Sequence, residues 1–289
     1  MSFLSQITHF ATDPPPSHIF ELSEAGIAYS RHGETGFQPF EPGTLAVSPV
    51  HDNVVRPEAV TAAIHRIAPS SGAKKRRPAA IILPDHAARV SLLDFDSFPA
   101  APDEQQALVR FRIKKTIPYE IDSAAIRYWA QPASSSGKLS GAKKTDVVVV
   151  TVALEVLARY EALFRGANFH PGEVTTSALA ALNLYRDQGV AVIAKLAGNV
   201  LTIVALSEGR LKLFRCLEVD PESDEDVLSI LLPTFAYVED ELGQPVRKLV
   251  LCGFEHVPPG LNVEITTLKS RSGSPSAFNA GLLGYLEGA

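Results

Sequence analysis

Polar and apolar positions change period repeatedly along the chain, and each change marks an element. His18–Leu22 (HIFEL) and Gly26–Ser30 (GIAYS) flank the turn Ser23-Glu24-Ala25-Gly26, which predicts a β-hairpin. The residues through Val50 carry Gly33, Gly36, Pro39, Pro42 and Gly43 among aromatic and β-branched residues, the pattern of a β-meander. Helical spacing follows over Pro57–Ala68, where Val60, Ile64 and Ile67 share one stripe and Pro57 suits the first turn. Ala79–Pro84 (AAIILP) reads as a strand. A helix is expected over Glu104–Thr116, with Asp103 as N-cap and Leu108, Phe111 and, less regularly, Ile113 as its buried side. Pro118 ends it. Ile121–Gln131 and Val147–Val152 then read as strands, and Leu154–Arg165 as an amphipathic helix with Leu157, Tyr160 and Leu163 or Phe164 inward.

The second half repeats this logic. Val190–Leu206 holds two strands about Leu196-Ala197-Gly198-Asn199, and Gly209 turns into a third over Leu211–Leu217. Ser223 is placed to cap a long helix, Asp224–Leu242, closed by Gly243 and kinked at Pro233. Lys248–Cys252 is a buried strand and Pro275–Leu286 a final helix. Asp13–Ser17 is a stiff break, and Pro132–Lys144 a polar hairpin loop. Pro69–Pro78 is a solvated basic loop whose run Lys74-Lys75-Arg76-Arg77 has a second reading, contact with anionic lipid or an acidic partner. Phe3, Leu4, Ile7 and Phe10 fall on one face of a short N-terminal helix, which without flanking cations is a poor membrane anchor.

Composition narrows the class. With 46% apolar and 20% charged residues, the 289-residue chain can bury a real core in one large or two medium domains. A net charge of −5 argues against a general nucleic-acid binder. No apolar run approaches the ~20 residues of a membrane span, and no basic segment followed by an apolar one opens the chain, so neither a span nor secretion is expected. Cys216 and Cys252 stand alone in apolar runs, as reduced core thiols of a cytosolic protein do. The eight histidines show no HxxxH or HExxH spacing, and GxSxG, GxxxxGK[ST] and GxGxxG are absent. Asp94 and Asp96 face one side of a strand; exposed edge carboxylates are the ordinary reading and a paired acid site the other.

The order strand, helix, Ile117-Pro118-Tyr119-Glu120, strand over Pro78–Leu184 resembles the PilM family. So do Val246–Leu261 and the Ala/Gly-rich close Ser276–Gly284 (SAFNAGLLG). PilM proteins belong to the type IV pilus platform and are related to FtsA and to the cytoplasmic part of the type II secretion L protein. The resemblance implies an α/β, actin-like (ribonuclease H-like) two-lobed fold with an inserted small α+β subdomain. An N-terminal segment would occupy 1–17, the first lobe 18–89, the insert 90–168, and the rest of the first lobe with the second lobe 169–289. The implied partner is the cytoplasmic tail of a PilN-type single-span membrane protein, in a groove between the first lobe and the insert, alongside other pilus or secretion platform proteins. The implied location is cytoplasmic, peripheral on the inner face of the inner membrane, and homo-oligomers by stacking or ring formation are admitted. Read physically, Arg110, Lys114 and the corner Ile117-Pro118-Tyr119 suit a peptide with apolar anchors and acidic character. The competing reading has Ile117 and Tyr119 seal the insert's core.

The same resemblance makes the phosphate-binding chemistry conspicuous by its changes. Actin-like ATPases hold phosphates between two hairpins whose glycines let backbone N–H groups approach and whose aspartates help place Mg²⁺. Here Glu21 stands where Asp is expected, Ser23 where Gly is expected, and Glu24 adds a carboxylate toward the phosphates. In the second hairpin Lys195 replaces the Asp and Ala197 the close-approach Gly, followed by Gly198 and Asn199. Gly253 keeps one glycine of the adenosine-side turn. The expectation is a degenerate nucleotide site with no catalytic residue, no metal and no required cofactor. The alternative is an active actin-like ATPase or sugar-kinase-type phosphotransferase that uses Mg-ATP, with Lys195 pairing directly with a phosphate.

Overall fold

The computed structural model describes residues 16–69, 75–132 and 144–288, so the N-terminal Phe3/Phe10 face, Lys74 and most of the Pro132–Lys144 loop lie outside the described residues. The chain forms two compact units, Met1–Ala88 with Leu154–Tyr185 and Leu268–Ala289, and Arg89–Ala153 with Arg186–Thr267.

In the first unit, β1 (His18–Ser23), β2 (Gly26–Arg31) and β3 (Glu34–Pro39) form an antiparallel meander. β4 (Arg77–Leu83) runs parallel beside β1, and β8 (Phe169–Thr176) parallel beside β4, giving the order β3-β2-β1-β4-β8. All six residues of β1 are buried because both sheet faces are covered. One face presents Ile19, Ala28, Ala80 and Ile82 to Ala180, Leu282 and Tyr285, from the short helix α4 (Ser177–Ala181) and from α6 (Ala280–Gly288). Small residues set that packing: a Cβ on Gly284 would stand 2.2 Å from the Ala180 carbonyl oxygen. On the other, Phe20 meets Phe164 and Phe169 at ring separations of 5.0 and 5.2 Å. Phe164 comes from α3 (Leu154–Gly166), which packs on β8 and against α1 (Pro57–Ile67).

The second unit repeats the plan. β9 (Ala191–Ala197), β10 (Val200–Ser207) and β11 (Arg210–Glu218) form the meander. β12 (Lys248–Cys252) lies parallel to β9 and β13 (Glu264–Thr267) parallel to β12. The order β11-β10-β9-β12-β13 matches the first sheet strand for strand and direction for direction. α5 (Asp224–Leu242) covers it through Val227, Leu231, Phe235 and Val238. Its ends are as the sequence predicts: Ser223 Oγ accepts the Asp226 N–H, and Gly243 takes the left-handed conformation at φ 60°.

The same unit holds the smaller sheet, β5-β7-β6, built from β5 (Arg89–Phe95), β6 (Ala124–Ala130) and β7 (Thr145–Ala153). α2 (Pro102–Ile113) buries Val109 and Ile113 against Phe95, Val147 and Val149. Gln131 ties this sheet to β11, donating to the Leu211 carbonyl at 2.9 Å and accepting its N–H at 2.8 Å. Asp146 accepts from Arg210 at 2.5 Å and from Lys212 at 3.3 Å.

Several elements depart from the sequence expectation. α2 starts at Pro102 with Ala101 as N-cap, so Asp103 sits inside the first turn as an acidic residue rather than capping it. Phe111 points away from the core and is 77% exposed; Val109 and Ile113 take the buried stripe. In α3, Val156 rather than Leu157 is buried. α6 begins at Ala280, not Pro275, because Asn279 Oδ1 accepts from the Ser276 N–H and hydroxyl and holds 276–279 as a turn. β8 and β13 add strands that the hydrophobic pattern did not separate from loops. The boundary between the two units falls after Ala153, so α3 belongs with the first unit.

Candidate functional site

The hairpin residues fall in both units, and each hairpin has its own geometry. Period two along β1 puts Ile19, Glu21 and Ser23 on the face covered by α4 and α6. Glu21 is therefore buried, and its carboxylate accepts the Leu282 N–H at 2.6 Å, the Gly281 N–H at 3.3 Å and the Ser177 hydroxyl. It sits at the N-terminus of α6, where first-turn N–H groups lack intrahelical partners and the helix dipole favours negative charge. Gly281 fits the approach: a Cβ there would lie 2.9 Å from Glu21 Oε1 and 2.8 Å from Ser177 Cα. Ser23 closes its own turn, donating to the Gly26 carbonyl at 3.0 Å and accepting the Gly26 N–H at 3.2 Å. Glu24 turns to the loop after β3 and accepts the Val47 N–H at 2.8 Å.

Sequence reasoning missed two members of this cluster. Asp85, buried just past β4, accepts the Ala178 N–H at 2.6 Å, and Ser177 supplies the hydroxyl to Glu21. An acidic residue directly after an apolar strand and a proline was the available signal for Asp85; Ser177 offered none.

In the second hairpin, Lys195 is buried on β9 and lies in register between Thr202 of β10 and Cys252 of β12. Register therefore brings Lys195 beside the start of the turn at Gly253, which takes φ 79°. Gly198, at φ 60°, and Asn199 make the β9–β10 turn; the Asn199 carbonyl accepts the Val219 N–H at 2.8 Å. Ala197, ending β9, is half-buried. Phe254 packs against the core of this unit.

The peptide-groove residues divide. Ile117 is buried in the small sheet's core, and Tyr119 packs against that core while donating its hydroxyl to Thr151 Oγ1 at 2.9 Å. Burial pushes the Tyr119 phenol above its ordinary pKa. Arg110 pairs with Asp122 at 2.5 Å, while Lys114 and Pro118 are exposed. The basic run divides as well. Arg77 belongs to β4, donates to the carbonyls of Ala68, Pro69 and Ala167, and lies 4.0 Å above the Phe169 ring, whereas Lys75 and Arg76 are exposed. Asp94 pairs with Lys144 at 2.7 Å as an exposed ion pair. Among the described residues, no group of three or more His, Cys, Asp or Glu is placed to hold a metal ion.

Two sheets of identical strand order, each with its hairpin first, make an actin-like fold with a small added α+β element. Among solved structures, the chain is similar in fold to a chain of the PilM–PilN type IV pilus biogenesis complex (14% identity, TM-score 0.68, covering 95% of this chain and 99% of that one). It is also similar to the cytoplasmic domain of EpsL, an inner membrane component of the type II secretion system of Vibrio cholerae (13% identity, TM-score 0.54, 93% of each chain). No protein-family model matches the sequence, and no curated protein does. No helix among the described residues is long and apolar enough to cross a membrane.

Proposed function

We propose that this chain is a PilM-like scaffold of a type IV pilus or type II secretion platform, cytoplasmic and peripheral on the inner membrane, that binds the cytoplasmic tail of a PilN-type membrane protein and does not hydrolyse ATP. The observation that carries the reading is the end-to-end likeness in fold to the chain from the PilM–PilN complex. The hairpin chemistry supports it. Glu21 has its oxygens committed to Ser177 and to two N–H groups of α6, and Ser23 occupies the Gly26 N–H. Lys195 is a cation where a Mg²⁺-side acid would stand, so these residues do not fit Mg²⁺. Lys114, exposed near the α2 C-terminus, remains suited to an acidic, apolar tail, with the half-buried Arg110 beside it paired to Asp122.

The test is fluorescence anisotropy with a labelled PilN-type tail peptide from the same organism. Binding in the micromolar range, roughly −8 kcal/mol, is expected, with Lys114→Glu weakening it about fivefold. No saturable binding sinks the partner assignment. Calorimetry with Mg-ATP tests the other half: no saturable heat is expected. One-site binding lost in Lys195→Ala would favour the nucleotide-using alternative, since a lysine can pair directly with a phosphate.

A further inference from the structure

The charged residues of the first unit are sorted between its two ends. β1, β4 and β8 run parallel, so all three start at one end, and antiparallel β2 finishes there. α1 and α3 finish there too: Arg31 donates to the Ile67 carbonyl at 3.0 Å, and Arg77 to the carbonyls of Ala68 and Ala167 at 3.1 and 3.3 Å. That end presents Arg66, Lys75, Arg76 and Arg165, with His32 and His170 beside them, all exposed. Its acids are Glu34, at the start of β3, and Glu161, which pairs with Arg165 at 2.5 Å. The opposite end carries Glu24, Glu41, Asp52, Glu58 and Glu155, with Arg56 and Arg159 paired to Glu41 and Asp52. A chain of net charge −5 thus holds a unit whose strand-start end is cationic.

Local structure accounts for only some of these cations. Arg66 and Arg165 sit in the last turns of α1 and α3, where the helix dipole favours positive charge. Lys75 and Arg76 belong to no helix; they lead into β4 and make no ion pair among the described residues. The positive field is felt by a buried neighbour: the His18 pKa is lowered to about 4, by burial first and then by Arg77, His32 and Arg31. The chain also enters β1 at this end, where the Ser17 carbonyl accepts the His32 N–H at 3.0 Å. The sequence ahead of it, which lies outside the described residues, carries Phe3, Leu4, Ile7 and Phe10 and no lysine or arginine. Taken alone, that sequence lacks the cations a surface anchor uses; the fold supplies them beside the point where it joins. From Phe10 to Ser17 the tether is at most about 25 Å.

We propose that the cationic end of the first unit, together with the apolar side chains ahead of β1, docks directly on a bilayer surface rich in anionic phospholipid. A bilayer suits this surface better than an acidic protein because it takes both signals at once. Its phosphates face Arg66, Lys75 and Arg76, and its acyl boundary takes Phe3 and Phe10. One signal of either kind gives marginal binding, and two together hold. The inference rests on the peripheral location proposed above and deepens it by naming lipid as a partner. It needs no PilN-type protein, and its test contains none.

The experiment is co-sedimentation of the full chain with vesicles of phosphatidylcholine, alone or mixed in equal parts with phosphatidylglycerol. Binding is expected on the mixed vesicles only, weakening at least tenfold as salt rises from about 0.1 to about 0.5 M. Lys75→Ala with Arg76→Ala should weaken it about 25-fold, since each cation near an anionic surface contributes about fivefold. The thermal midpoint should not move, because both side chains are exposed. Phe3→Ser with Phe10→Ser should weaken binding at least tenfold by removing the apolar signal. Lys115→Ala with Arg247→Ala, exposed cations of the second unit, should leave binding as it was. Binding to neither vesicle, or equally to both, overturns the proposal. So does a loss in only one of the first two pairs, and so does an equal loss from Lys115 and Arg247, which would mean net charge rather than this end. A chain that binds the PilN-type tail but no mixed vesicle fails here and keeps the tail-binding reading; one that binds vesicles but no tail does the reverse.

Discussion

The hairpins β1–β2 and β9–β10 occupy the same position in two sheets of the same order, yet they are held differently. The first is clasped by side chains: Glu21 reaches the start of α6, Ser23 bridges its own turn and Glu24 holds the next loop. The second is closed by backbone, through a left-handed Gly198 and the Asn199 carbonyl. Equal topology therefore does not mean equal use of polar residues. In the first hairpin, the buried carboxylate of Glu21 serves the packing of α6.

The largest expected effect follows from Glu21. Glu21→Ala leaves two α6 N–H groups and the Ser177 hydroxyl buried without an acceptor, and should cost about 3 kcal/mol in urea unfolding. A loss under about 1 kcal/mol would mean the clasp is incidental.

Next comes a pH effect expected in the first sheet and not at the matching place in the second. His18 starts β1, where Ala191 starts β9. Burial, aided by Arg77, His32 and Arg31, lowers the His18 pKa to about 4. Above pH 6.5 the ring is neutral in folded and unfolded chains alike. As pH falls from 6.5 toward 4 the unfolded chain takes up the proton first, so stability drops by about 2 kcal/mol. Below about 4 the loss stops growing. His18→Gln should flatten that slope; an unchanged slope would assign it to other groups.

The smallest effects sharpen the contrast. Ser23→Ala should cost about 1 kcal/mol by removing both turn hydrogen bonds. Asn199→Ala should stay within about 0.5 kcal/mol, since its turn relies on its carbonyl. Equal costs at the two turns would erase the distinction.

Much of this was legible beforehand where pattern and cap agreed. α5 carried its own signals, with Ser223 before it, Gly243 after it and apolar residues at helical spacing between, and its ends lie where those signals put them. Both hairpins declared themselves through alternation about a turn. Phe111 misled because period alone cannot choose between two stripes when α2 is short and cationic; tertiary contact with β7 chose Val109 and Ile113. Arg77 misled because a run of four cations reads as solvent, although its last member enters a strand and stacks on Phe169. The roles of Glu21, Ser177 and Asp85 depend on partners far along the chain, which no local pattern encodes.

Pro171 and Gly172, which hid β8 from the pattern, bear on solubility. β8 is the outermost strand of its sheet, the position where another chain's strand could be added. The ladder shifts register between Ala79 and Ala80, pairing Ala79 with Pro171 and Ala80 with Glu173, so Gly172 is passed over. A proline without a donor next to a skipped residue breaks the row of outward-facing N–H groups. The residues that made this strand hard to recognise also make it a poor template for aggregation.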